Sequence, residues 1–172
     1  NAATAGRFQY GEVVEFYDAT YGLIKAMYCK IAKDAAELGS PMFLVNANFN
    51  AAGGFQVSDD EDGTGVMGQE GCVGALLAVA TDASEGFVQC YGLNLVALKT
   101  DGSVTAGQML YPSTTDGVWK GVNVMQAVDE DGTSDYTVHN SGGGSGCGLA
   151  LDDDDDEAEL EAGEVFLNTF VG

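Results

Sequence analysis

Ser141, Ser145, His139 and Asp135 are the residue types of a nucleophile, a base and an orienting acid, and they fall within one short segment. An acyl-transfer triad needs those three roles held in fixed geometry. Side chains this close in sequence, in the glycine-rich stretch Ser141-Gly142-Gly143-Gly144-Ser145-Gly146, do not converge on such a geometry. Gly143-Gly144-Ser145-Gly146-Cys147 also lacks the closing glycine of a nucleophile elbow. The same stretch has no Gly-Lys-Ser/Thr ending and no nearby base, so it is not a phosphate-binding loop. A pair of carboxylates could serve as the acid and base of a glycosidase, but among 27 Asp and Glu no pair is singled out. The expectation is a non-enzyme with no catalytic, cofactor-binding or metal-binding residue.

Calcium is the ligand most worth testing against the residues, because hard cations take several oxygen ligands. Asp60, Asp62 and Thr64 stand at the first, third and fifth positions of an EF-hand-like loop with Gly65 at the sixth. The twelfth position, where a bidentate Glu belongs, is Gly71, with Glu70 one residue early. Strand-like sequence flanks the loop where helices should. The run Asp152 to Asp156 with Glu157 has no sixth-position glycine. Cys29, Cys72, Cys90 and Cys147 form no C-x-x-C pair and have a single histidine to join them, so they read as reduced, buried small hydrophobes rather than zinc ligands. No cofactor is expected.

These residues must be positioned by a chain of 172 residues, a length that fits one domain and that buries enough surface to fold without a metal or disulfide. Six Lys and Arg against 27 acids give a net charge of −21, which argues against nucleic acid and against an anionic membrane surface as partners. A hydrophobic content of 45% separates the chain from acidic disordered polymers. The longest largely apolar stretch, Cys72 to Ala80, is too short to cross a bilayer as a helix, and the first residues show no secretion signal. Charge is uneven: residues 1–50 hold five acids and four bases, while the rest holds 22 acids with only Lys99 and Lys120. Such an acid excess also resembles surfaces adapted to high salt.

Short runs rich in Val, Ile, Tyr and Phe, punctuated by Gly, Asp, Asn and Ser, predict a mainly β fold, a small β-barrel or β-sandwich with at most one or two short helices. Gly11 to Asp18 and Leu23 to Ile31 flank Ala19-Thr20-Tyr21-Gly22 as a hairpin. Further strands are expected at Met42 to Ala47, Val73 to Ala80, Gly86 to Tyr91, Leu93 to Thr100, Val118 to Val128 and Val165 to Val171. In the run from Phe87 to Tyr91, alternation places Val88 and Cys90 on the core face and Gln89 opposite. Ala32 to Leu38 reads as a short helix stopped by Gly39 and Pro41. Asp62-Gly63, Asp101-Gly102 and Asp131-Gly132 read as hairpin tips. Residues 1–172 are taken as a single β-rich domain with an N-terminal arm over 1–9 and an insertion around 46–71.

One order of motifs carries a functional expectation. Gly86-Phe87-Val88-Gln89-Cys90-Tyr91-Gly92 leads into the apolar Leu93 to Leu98, then Thr100-Asp101-Gly102-Ser103-Val104-Thr105-Ala106-Gly107-Gln108. Gly148-Leu149-Ala150-Leu151 and Val165-Phe166-Leu167 follow. This resembles a family of tailed-phage structural proteins that includes capsid decoration, or cement, proteins. Its typical order is a "G-x-V-Q-x-x-G" strand, an apolar strand, a "D-G-x-V-x-A-G-D" turn, a "G-x-A-L" strand and a closing "V-x-L" strand. Gly11 to Phe16 also looks like the first barrel strand of such proteins. Gln108 stands where the family often has an acid, and the stretch from Asn46 to Gly71 has no counterpart.

The resemblance implies a virion protein on the outer capsid surface, made in the host cytoplasm, with the major capsid protein and further copies of itself, as a homotrimer, for partners. A bound cement protein stabilises the assembled shell by mass action and needs contact area rather than a catalytic pocket. Two rivals share the composition: another virion component such as a tail-tube or head-tail protein, and a secreted calcium-dependent adhesion or carbohydrate-binding module. The charge split places the near-neutral N-terminal region, with Arg7, Lys25, Lys30, Lys33 and the apolar Phe8 and Tyr10, toward the shell. The acidic stretches at Asp59 to Asp62, Asp129 to Asp131 and Asp152 to Glu161 would then point outward.

Overall fold

The computed structural model describes residues 8–32, 36–45, 55–60, 71–79, 84–122, 147–154 and 159–169. The expected helix at Ala32 to Leu38, the Asp62-Gly63 and Asp131-Gly132 turns, the arm and the insertion lie wholly or partly outside them. Twelve strands follow in chain order: β1 Val13–Asp18, β2 Gly22–Ile31, β3 Pro41–Leu44, β4 Gln56–Ser58, β5 Cys72–Leu76 and β6 Glu85–Leu93, then β7 Leu98–Lys99, β8 Met109–Pro112, β9 Trp119–Val122, β10 Gly148–Ala150, β11 Glu159–Leu160 and β12 Val165–Asn168. The described residues contain no α-helix. The mainly β, barrel-containing architecture expected from turn chemistry and short apolar runs is what the chain adopts.

Ten strands form one sheet in the order β1-β2-β4-β3-β5-β6-β12-β10-β8-β9, and an added pairing of β2 with β6 closes β2, β4, β3, β5 and β6 into a five-stranded barrel. All pairings between these strands are antiparallel except that of β2 with β4. The β1–β2 hairpin forms as expected: Asp18 Oδ1 accepts the amides of Thr20 and Tyr21 at 2.8 and 3.0 Å, an Asx turn that sets the register from Asp18–Gly22 to Val13–Met27.

Beyond the barrel, β12, β10, β8 and β9 continue the sheet from the edge of β6. Two cores result, on opposite faces of the sheet. One fills the barrel with Cys29, Ile31, Ala36, Met42, Val57, Val73, Leu76 and Val88. The other packs Phe43, Cys72 and Ala75, from the outer side of the barrel wall, against Leu110, Trp119, Ala150, Val165 and Leu167 of the extension and Leu98 and Leu160 of the small β7–β11 pair. Val73 and Leu76 of β5 belong to the first core and Cys72 and Ala75 to the second; each pair is three residues apart, because the bulge at Val73-Gly74 interrupts strict alternation, and all five residues of the strand are buried.

Several local expectations are corrected by this arrangement. Within the stretch expected as a helix, residues 33–35 lie outside the described residues, and Ala36 is fully buried in the barrel core and forms a β-bridge. A helix of seven residues has too few internal hydrogen bonds to resist that burial. Leu93 to Thr100 is not one strand, because the chain leaves the ten-stranded sheet at Asn94, and Leu98 and Lys99 pair with β11 in a separate two-stranded sheet. Asp101-Gly102 is a turn but no hairpin tip: β7 before it pairs with β11, and Thr100 bridges Trp119 in parallel. Gln89 does face away from the barrel core, yet it is fully buried there under residues 93–95.

Gly74 is the residue that lets the shared wall close. Its φ is +143°, and a Cβ there would lie 1.9 Å from the Gln89 carbonyl oxygen on the neighbouring strand, so no side chain fits without moving β6. The register between β3 and β5 shifts at the same level, between Met42 and Phe43. Gly74→Ala is therefore expected to cost more than about 3 kcal/mol, through strain and a backbone clash together. Gly102→Ala, at φ +83° with nothing within 4 Å, should cost only about 1–2 kcal/mol. Urea unfolding of the two variants checks the ordering, and equal midpoints would contradict it.

Candidate interaction surface

Burying both faces of the wall leaves loops that must be held by side chains, and two polar residues do most of that. Asn94 is fully buried and satisfies its whole amide: Oδ1 accepts the amides of Gly163 and Val165 at 3.0 and 2.8 Å, and Nδ2 donates to the carbonyls of Val96 and Glu161 at 2.9 and 2.7 Å. Gln89 Oε1 accepts the Leu95 amide at 3.0 Å and Nε2 donates to the Leu93 carbonyl at 2.6 Å. Each bond contributes about 0.5–1.5 kcal/mol, but losing the side chain would leave several buried backbone groups unpaired at about 1–3 kcal/mol each. Trp119 is anchored likewise, its indole N–H donating to the Gly39 carbonyl at 2.8 Å. These contacts hold β6, β12 and β9 in one continuous surface.

The outward side of that surface carries a row of apolar side chains in direct register. Leu93 pairs with Phe166, Phe166 with Leu149, Leu149 with Met109, and Met109 with Val122. On the other side Lys25 pairs with Tyr91 and Tyr17 with Leu23, and alternation puts all four on the same face as Leu93. The row crosses seven strands, and it is the continuation of the barrel's inner face, where Met27 and Val88 sit opposite each other. Tyr17 is 79% exposed, Leu23 44% and Leu149 37%, while Phe166, Leu93, Met109 and Val122 are half-buried. Large apolar side chains gathered in this way mark surfaces that meet a partner more often than scattered ones do.

Charge is nearly absent along the row. The charged side chains at strand positions on this face are Glu15, Lys25 and Lys120, a net +1 on a chain of −21. Lys25 Nζ lies 2.6 Å from a Glu15 oxygen and 5.7 Å from the centre of the Tyr91 ring, which in turn meets Phe166 edge-on at 5.2 Å. Glu15 raises the Lys25 pKa through a hydrogen bond and its charge, so the ammonium is held at neutral pH. A shallow depression of about 340 Å³ lined by Leu23, Lys25, Tyr91 and Asn168 marks where the barrel gives way to the extension.

The residues first considered for chemistry are placed differently. Asp135, His139, Ser141 and Ser145 lie outside the described residues, as do Glu61 to Glu70 of the calcium-like loop and Asp129 to Asp131. Asp60 is buried, its amide bonded to Ser58 Oγ. Asp154 is buried too and accepts the Thr100 hydroxyl at 2.9 Å, while Asp153 caps the Ala106 amide at 2.7 Å. Asp153 and Asp154 fasten their loop to the β7–β8 connection; Asp154 is buried there, whereas Asp152, Asp153 and Glu161 are exposed. Among the described residues no group of three or more His, Cys, Asp or Glu is arranged to hold a metal. All four cysteines are free thiols and buried, as their spacing suggests. No protein-family model matches the chain, and no characterised protein matches it in sequence.

Phe8 and Tyr10, expected to face a partner, pack within the chain. Phe8 meets Phe87 edge-on at 5.3 Å, Tyr10 stacks on Tyr28 at 5.7 Å, and the hydroxyls of both tyrosines donate to the Glu85 carboxylate. Those bonds hold Glu85 below the usual carboxylate range and raise both tyrosines, Tyr28 to about 12. Because the tyrosine pKa values are raised on folding, their contribution is complete below about pH 10 and lost as pH climbs toward 12. Because that of Glu85 is lowered, its contribution is present above about pH 4.5 and lost below. Titrating tyrosinate absorbance should show a component among the seven tyrosines that ionises near pH 12. In Glu85→Gln that component should move toward 10, and a curve unchanged by the substitution would show that the clamp does not form.

Proposed function

We propose that this chain is a virion structural protein, a decoration or cement protein that seats its apolar sheet face on the outside of an assembled tailed-phage head and stabilises the shell. The observation that carries the reading is the row from Tyr17 to Val122: seven strands of apolar side chains with a net +1 on a chain of −21. A protein that binds the assembled lattice but not its free subunits stabilises the lattice by mass action, and it does so with area rather than chemistry. The resemblance in motif order supplies the type of partner, the major capsid protein, and the five-stranded barrel is a body suited to presenting such a face. Self-association into a homotrimer belongs to the same reading, since closed three-fold rings suit local three-fold positions on a shell.

Lys25 lies on the proposed contact face, which agrees with the expectation that part of the near-neutral N-terminal region turns toward the shell. Arg7 and Lys33 lie outside the described residues, and Phe8 and Tyr10 are engaged within the fold. The proposed contact is therefore built on β1, β2 and the extension.

Leu149→Asp and Tyr17→Asp each place a carboxylate in the row without touching either core. Each should reduce co-sedimentation with undecorated particles at least tenfold, corresponding to about 1.4 kcal/mol or more, and leave the melting temperature within a few degrees. Neutralising Asp152 should leave attachment unchanged. Attachment that survives both row variants, or that falls only with the Asp152 variant, would refute the assignment of the face.

A further inference from the structure

The four thiols are of two kinds. Cys29 and Cys90 are sealed, at 0% and 1% exposure, and their sulfurs lie near backbone carbonyls, Cys29 Sγ 3.7 Å from Met27 O and Cys90 Sγ 3.3 Å from Lys25 O. Cys72 and Cys147 instead share the second core and keep 7% and 6% exposure, and the Cys147 side chain is near enough to help raise the Cys72 thiol.

The backbone explains why these two meet although they lie far apart in sequence. Cys72 opens β5, opposite Phe43. Cys147 precedes β10, donating its amide to the Leu110 carbonyl at 2.8 Å and accepting the Asn168 amide at 3.0 Å. The next residue, Thr169, donates its hydroxyl to the carbonyl of Val73 at 2.7 Å. The end of β12 is thus bonded to Cys147 on one side and to the neighbour of Cys72 on the other, which draws both cysteines to the same edge of the core.

From this juxtaposition we infer that Cys72 and Cys147 are an oxidisable dithiol, a modification site that closes to a disulfide fastening the barrel wall to the extension. With a small disulfide as oxidant, one protein thiolate attacks it, forms a mixed disulfide and releases one small thiol. The second protein thiolate then displaces the other small thiol. Two protein thiols lose two protons and two electrons, and the external disulfide is reduced to two thiols. Burial and the neighbouring sulfur raise the Cys72 thiol well above its ordinary value, so closure is slow and the dithiol persists in a reducing compartment. The closed form ties together a long stretch of chain, the geometry in which a cross-link restricts the unfolded ensemble most.

The native protein, incubated with excess hydroxyethyl disulfide and then denatured, tests this by counting thiols with a maleimide mass tag. The count should fall from four to two, with the mass of two hydrogens lost, no hydroxyethylthio adduct retained and the far-ultraviolet spectrum unchanged. The double variant Cys29→Ala/Cys90→Ala should lose both remaining thiols in the same way, and Cys72→Ala should form no internal bond. Four persisting thiols, a stable mixed disulfide in place of ring closure, or a cross-link that involves Cys29 or Cys90 would each overturn the inference.

Discussion

Strand β5 has no solvent face, and the rest of the structure depends on that burial. Val73 and Leu76 fill the barrel, Cys72 and Ala75 belong to the core outside it, and β3 repeats the division with Met42 and Phe43. Full burial of a large apolar side chain contributes about 1.5–3 kcal/mol, so a strand that serves two cores stabilises twice over for one backbone. The cost is geometric. A wall buried on both sides cannot shift to relieve a misfit, and the fit at the β5–β6 contact is set by Gly74, where even a methyl group would meet the Gln89 carbonyl.

That wall also determines where polar groups are needed. Because the extension turns back over the outer side of the barrel, the connections at 93–98 and 161–164 run beside apolar surface and are partly shielded from water. Asn94 and Gln89 meet that demand from within, and Thr100 with Asp154 does the same beside the turn after β7. Buried polar side chains here serve to fix loops.

How much of this could be read in the sequence follows from the same double burial. The β class, the first hairpin and the buried cysteines follow from turn residues and short apolar runs. Alternation was the rule that failed, because it assumes one wet face. Cys72-Val73-Gly74-Ala75-Leu76 does not alternate because both faces are cores, and Val165-Phe166-Leu167 does not because one face is a core and the other carries the exposed row. The row was thus signalled by apolar residues in the out-of-phase positions of β8, β10 and β12, at Met109, Leu149 and Phe166. Recognising it required the register between strands distant in sequence, which no local pattern supplies. Gln89 and Asn94 were illegible for the same reason: a polar residue in a strand reads as solvent-facing until the loop that covers it is known.

The acid excess and the apolar row are two parts of one constraint on association. At an ionic strength near 0.15 M charges are screened over about 8 Å, so carboxylates remote from the row contribute little to a contact made there, while those near its rim repel any partner that is itself acidic. Glu15 is compensated by Lys25 within the row, so bringing this face against another surface removes no unpaired carboxylate from water. Two copies meeting face to face would bury apolar area but also bring together the rims of two chains each at −21. A neutral or basic partner surface incurs no such repulsion. For the contact proposed above, this charge distribution favours a partner of different composition over face-to-face stacking of copies, and apolar contact, which is insensitive to salt, would then supply most of the affinity.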